Sequence, residues 1–154
     1  MTEATTYSTV EDNAQTTLHS ILSNNSAVTA YTPNIYDGHP TTLAKGIGFP
    51  YIIIHTPPVE EELPVFSGTI SEVDAIASIV VYDRIESHVR KLGGVIRGAL
   101  RDARSTLETE AKLHLYGSGI RSVLTREFLD TGGAPERSVS VWVYTIRIPL
   151  KFVG

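Results

Sequence analysis

The sequence predicts an α+β fold, a largely antiparallel sheet of about four strands with two helices packed on one face, in the order α-β-β-α-β-β. Three patterns carry this reading. Apolar residues recur at helical spacing in two stretches, 8–25 and 85–107. Two β-branched runs, 51–56 and 76–83, stand between them. Residues 138–152 then alternate apolar and polar, the signature of a strand with one buried face.

The elements follow in order. Residues 1–7 read as a flexible tail preceding a single domain that takes up the rest of the 154 residues. Ser8 and Glu11 have capping-box spacing, and Val10, Ala14, Leu18, Ile21 and Leu22 form one apolar stripe of a helix that Asn24 and Asn25 end. Turn chemistry fills 26–50, with a short strand at Ile35 and Tyr36 cut by Asp37 and Gly38. The runs 51–56 and 76–83 are expected to pair antiparallel. A helix of about six turns follows, with Ile85, Val89, Leu92, Ile96, Ala99, Leu100, Ala103 and Leu107 on its apolar face. Gly93 and Gly94 inside it cost about 2 kcal/mol against alanine, so they need a reason: close packing on the sheet, or a bend. Arg121–Asp130 is the next strand, followed by a turn at 131–135. In the last strand Trp142, Tyr144, Ile146, Ile148, Leu150 and Phe152 should meet the core, while Thr145, Arg147 and Lys151 meet solvent or a neighbour. Pro149 cannot donate to a ladder, which puts that end at or beyond a sheet edge.

Composition narrows the function. Apolar residues make up 42% and charged residues 19%, a globular balance. No apolar run approaches the ~18–20 residues of a membrane span, and the polar, acidic N-terminus is not a signal peptide. With no cysteine there is no thiolate chemistry, and a reducing cytoplasm is the expected place of synthesis. A net charge of −4 argues against general nucleic-acid binding. Arginine outnumbers lysine nine to four, which suits protein interfaces.

Motifs for chemistry are sparse. Gly46 and Gly48 are followed by Phe49 and Pro50, which cannot open a dinucleotide-binding helix, and neither a Walker loop nor a nucleophile elbow is present. Asp37 and His39 join an acid to an imidazole, but inside a stretch that builds a turn. His19, His39, His55, His88 and His114 show no metal-ligand spacing. Glu60, Glu61 and Glu62 lie in HTPPVEEELPVFSG (55–68), where Pro57, Pro58 and Pro64 stiffen the chain. An acid–base role needs burial or a fixed partner, so an exposed acidic finger is the simpler reading. Arg90, Arg97, Arg101 and Arg104, spaced by seven, four and three, line one side of the long helix. They are either a solvated face or an interface stripe that pairs with acids of a neighbouring copy; a DNA-facing stripe is a third reading. No catalytic, metal or cofactor residue is assigned.

The succession IYDGHP (35–40), FPYIIIHT (49–56), an acidic loop, SIVVYD (78–83) running into VRKLGGVIRGALR (89–101), and a closing REFLDTGG…SVSVWVYTIRIPLKF (126–152) resembles the tailed-phage tail-terminator or tail-completion family of the lambda U protein type. The resemblance covers 8–153 in element order more than in identity. It implies a non-enzymatic virion subunit of the head–tail junction, assembled in the host cytoplasm. Such a subunit forms a homo-oligomeric ring, a hexamer, that caps the tail tube and meets a head-completion or neck protein. DNA passes through the lumen without sequence-specific binding, and no cofactor or membrane is involved. Glu60–Glu62 and the four arginines are then the candidate contacts with neighbouring subunits or the tube. The competing readings are another head–tail connector, a small enzyme using Asp37, His39 and the glutamates, and a host binding module.

Overall fold

A computed structural model of the protein describes residues 7–37, 48–56, 72–115, 119–129 and 139–153. The first helix, α1 (Tyr7–Ser23), buries Val10, Ala14, Leu18 and Leu22, the predicted stripe, with Ile21 half-buried. Tyr7 belongs to this helix, and the remainder of the expected tail, 1–6, lies outside the described residues. Asn25 ends nothing. It caps a second helix, α2 (Ser26–Tyr31), its Oδ1 accepting from the backbone N–H groups of Ala27 and Val28 at 3.0 and 3.1 Å.

The sheet has six strands: β1 (Ile35–Asp37), β2 (Tyr51–His55), β3 (Glu72–Asp83), β4 (Leu113–Leu115), β5 (Arg121–Leu129) and β6 (Val139–Val153). Its order begins β1-β2-β3-β6. The first pair is parallel and the others are antiparallel. Strands β4 and β5 lie end to end along the other side of β6, β4 against Leu150–Phe152 and β5 against Val139–Arg147. They act as one edge strand with an interruption between them.

This corrects the expected fold. The protein is α+β, but the described residues form a six-stranded mixed sheet and four helices in place of about four antiparallel strands and two helices. The physical reason is element length. The strands β1 and β4 have three residues each and α2 has six, too few for either periodicity to register. Such pieces are held by their neighbours, as when Thr32 Oγ1 donates to the carbonyl of Pro50 at 2.7 Å and fixes the approach of β1 to β2.

The expected single long helix is two, α3 (Glu86–Asp102) and α4 (Arg104–Glu110), separated at Ala103 and not at the glycines. Gly93 instead answers to close packing: a Cβ there would stand 2.4 Å from Cε1 of Tyr144 on β6. Gly94 faces open space. The change of direction at Ala103 brings Leu107 and Ala111 into the core beside Leu113 of β4.

The helices share one face of the sheet. Their apolar residues form the main core with Ile52 and Ile54, with Ala75, Ala77, Ile79 and Val81, and with Ile146, Ile148, Leu150 and Phe152. On the opposite, outer face, Tyr51, Ile53, Tyr82, Val141 and Val143 form a second, smaller cluster. The odd side of β6 is therefore partly buried and not uniformly solvent-facing. Pro149 also departs from expectation. It sits in the central strand, opposite Ile76 of β3, but on its other side the register passes from Arg147 to Leu150 with no β4 or β5 partner. The missing donor is tolerated because it coincides with the interruption of the edge.

Candidate assembly surface

The arginines of α3 and α4 occupy different environments. Arg90 forms an i,i+4 pair with Glu86 of its own helix, with Nε and Nη2 each 3.0 Å from Oε1. Arg104 lies on α4, where Nε donates to Glu108 Oε1 at 3.2 Å, and His114 Nδ1 lies 3.6 Å from the same oxygen. The predicted four-residue stripe is thus split by the turn at Ala103, and two of its members are paired locally. Arg97 points towards β6. Burial pushes the Tyr144 phenol up, but the Ser122 hydroxyl and the guanidinium groups of Arg97 and Arg90 outweigh it and hold the phenol below its ordinary value. Ser122 Oγ is buried beside that phenol without a hydrogen bond of ordinary geometry. Arg101 is exposed in the last turn of α3, where a cation complements the helix dipole. Glu60, Glu61 and Glu62 lie outside the described residues, as does His39.

The strand expected at 121–130 is β5, and none of the candidate contact residues lies on it. Strand β5 has nine residues, and among the described residues only β6 pairs with it, which leaves its outer edge unpaired. Val123 and Phe128 on β5 are 54% and 73% exposed, large apolar groups in water. Arg126 lies over the Trp142 ring, 5.6 Å from its centroid, and its Nε donates to Ser140 Oγ at 2.8 Å. The available signal was the polar run Thr125, Arg126 and Glu127, which breaks alternation; exposure is continuous from Thr125 to Phe128, while Leu124 before it packs on the main core.

The other edge is built differently. β1 has three residues and ends at Asp37. Gln15 Nε2 donates to Asp37 Oδ1 at 2.7 Å and to the carbonyl of Ile54 at 2.8 Å, His19 Nδ1 lies 3.0 Å from Asp37 Oδ1, and Thr56 Oγ1 donates to Gln15 Oε1 at 2.9 Å. Burial raises the Asp37 carboxyl, but the hydrogen bonds from Gln15 and His19, with the charge on His19, leave it below the usual carboxylate value. The group latches α1 to β1 and β2. Asp83, a buried carboxylate at the end of β3, serves a similar purpose by accepting from the backbone N–H of Arg84 at 2.6 Å and facing His88 Nδ1 at 3.1 Å, next to the start of α3.

On the outer face Tyr51 stacks on Tyr82 with centroids 4.7 Å apart, and Phe49 and Tyr36 flank it at 5.5 and 6.5 Å. Arg84 lies over Phe49 at 5.1 Å. Burial, then Tyr82 and Glu127, push the Tyr51 phenol well above its ordinary value. Among the described residues no group of three or more acidic, histidine or cysteine side chains is placed to hold a metal, and no helix is long and apolar enough to cross a membrane. The arrangement presents two unlike sheet edges and no assembled acid–base pair with a nucleophile among those residues. No protein-family model and no curated protein matches the sequence.

Proposed function

We propose that the chain is a structural subunit of a tailed-phage particle, a tail terminator that closes the tail tube as a homo-oligomeric ring, the hexamer its resemblance implies, and joins it to the neck. The observation that carries this reading is the nine-residue β5, open along one edge and bearing the exposed Phe128 and Val123. A sheet edge of that length is normally shortened, covered or paired, and a subunit that works only when assembled can pair it with its neighbour. The arginine-bearing flank of α3 supports the same reading. In it the protein does no catalysis and takes no cofactor. Its partners are further copies of itself, the tube protein and a head-completion or neck protein, with DNA passing through the lumen without sequence readout.

Electron microscopy of purified virions, with the chain carrying an antibody-detectable tag, tests the proposal. Label at the head–tail junction is the expected result. A particle whose junction lacks the chain sinks the terminator reading, and label on the neck above a normally terminated tube assigns the chain to another connector.

A further inference from the structure

We propose that copies of the chain join head to tail through their sheet edges, with β5 of one copy adding antiparallel to β1 of the next, in a register that sets Arg126 opposite Asp37. This deepens the ring reading and rests on it for its biological setting. The contact itself is argued from the molecule alone.

Strand direction comes first. β1 is parallel to β2, β2 antiparallel to β3, β3 to β6, and β6 to β5. The two outermost strands therefore run in opposite directions. A second copy that continues the sheet head to tail with its helices on the same side meets β5 with an antiparallel β1, the more stable kind of pair. The contact is heterologous, since one copy gives β5 and the other β1, and contacts of that kind close into rings or run on as filaments.

Charge comes second. Across 7–37 and 48–56, which contain α1, α2, β1 and β2, there is no lysine or arginine, while Glu11, Asp12 and Asp37 are acidic. The opposite side carries Arg121 and Arg126 on β5, with Glu127 beside them, and Arg97 and Arg101 on α3, which packs on β6; Arg90 there is paired with Glu86. Among the described residues the β1 side is acidic and the β5 side carries a cationic surplus, so head-to-tail contact joins unlike net charges.

Side-chain facing comes third and selects the register. Ile35 packs towards the main core, and His19 of α1 lies against Asp37, so both point to the helix side of β1; Tyr36 joins the outer cluster. On β5, Arg126 lies over Trp142, which packs on the main core, and Phe128, two residues on, shares its side of the strand. Glu127 faces the outer cluster, near Tyr51 and Tyr82. Pairing Asp37 with Arg126 sets Tyr36 opposite Glu127 and Ile35 opposite Phe128. This gives an opposite-charge pair, a phenol beside a carboxylate and an apolar pair, each with both members on the same face. The exposed Phe128 ring thereby gains the cover that its own chain does not provide.

The test uses the full chain and its lack of cysteine. The variant Tyr36→Cys with Glu127→Cys, treated with a short thiol-specific cross-linker, is expected to give a ladder of covalent oligomers. Each single variant alone gives none, and a mixture of the two single variants stops at dimers. The variant Arg126→Asp is expected to weaken assembly about tenfold in sedimentation, and adding Asp37→Arg should restore it. Circular dichroism checks that each variant is folded. A dimer from Glu127→Cys alone would show β5 pairing with itself and overturn the proposal. So would a chain that stays monomeric, or one that forms rings without the ladder; the last result would leave the terminator reading standing. A ladder from a chain absent from the head–tail junction would support this contact and reject that reading.

Discussion

The two faces of the sheet are built from the same strands and work differently. On β3, Ile79 points to the helix side and is fully buried, while Ile76, three residues earlier, points outward and is 52% exposed. The helix face is filled by aliphatic side chains from α1, α2, α3 and α4 and depends on volume. The outer face is held at one end by a stack of rings around Tyr51, and along its middle it leaves Ile76 and Val123 in water. The larger share of the buried core thus lies on the helix side of the sheet. On the other side, away from the Tyr51 cluster, Ile76 and Val123 can change without emptying a core.

The largest effects should separate the faces. Ile79→Ala is expected to lower unfolding free energy by about 2–5 kcal/mol, and Ile76→Ala to stay within about 0.5 kcal/mol, both read from urea denaturation. Comparable losses at the two positions would break the contrast. Gly93 and Gly94 sharpen it within one helix. Gly93→Ala drives a methyl into the Tyr144 ring and should cost about 1–3 kcal/mol, since that ring is flanked by Ser122 and Arg97. Gly94→Ala meets no atom within 4 Å and should add about 1 kcal/mol through helix propensity. On the outer face, Tyr51→Phe removes a buried hydroxyl that has no hydrogen-bond partner among the described residues and keeps the stacked ring. A gain of about 1 kcal/mol is expected in the same denaturation assay, and a loss would mean that the hydroxyl is held.

These contrasts also show what could be read from residues alone. The stripes of α1 and α3 and the even side of β6 were legible because each repeats over several turns or pleats, and burial follows them from Val10 to Leu22 and from Ile146 to Phe152. Glycine at 93 was legible as a demand without an address, because the Tyr144 ring that answers it is 51 residues away in sequence. The outer cluster was hidden for a related reason. Tyr51 and Ile53 sit in a run that is apolar at every position, so alternation could not show that both faces of β2 are buried. The arginine spacing was visible, but its division was not: Glu86 and Glu108 neutralise Arg90 and Arg104 locally, and the turn at Ala103 moves Arg104 to another helix. The exposed edge of β5 depends on which strand ends the sheet, and strand order is set by long-range pairing.

The smallest effect tests how the helix layer is latched to the sheet at the β1 edge. The Asp37 carboxyl is held below its ordinary value in the folded chain by Gln15 and His19, against the opposing pull of burial. A carboxylate whose folded value is depressed stabilises the fold above its unfolded value, near 3.8, and that contribution fades as pH falls through the lower folded value. Asp37→Asn keeps an oxygen for the Gln15 amide but cannot titrate, so its stability should fall less steeply with acid than that of the native chain. The Asp37 side chain is 55% exposed, which limits the difference to below about 0.5 kcal/mol. Urea denaturation followed by circular dichroism at pH 6, and again well below the unfolded value, at a dilution where the chain is monomeric, measures it. Parallel curves for the two proteins would mean that the Gln15 amide carries the latch without help from charge, and that the acidic character of Asp37 is available to a partner at no cost to the fold.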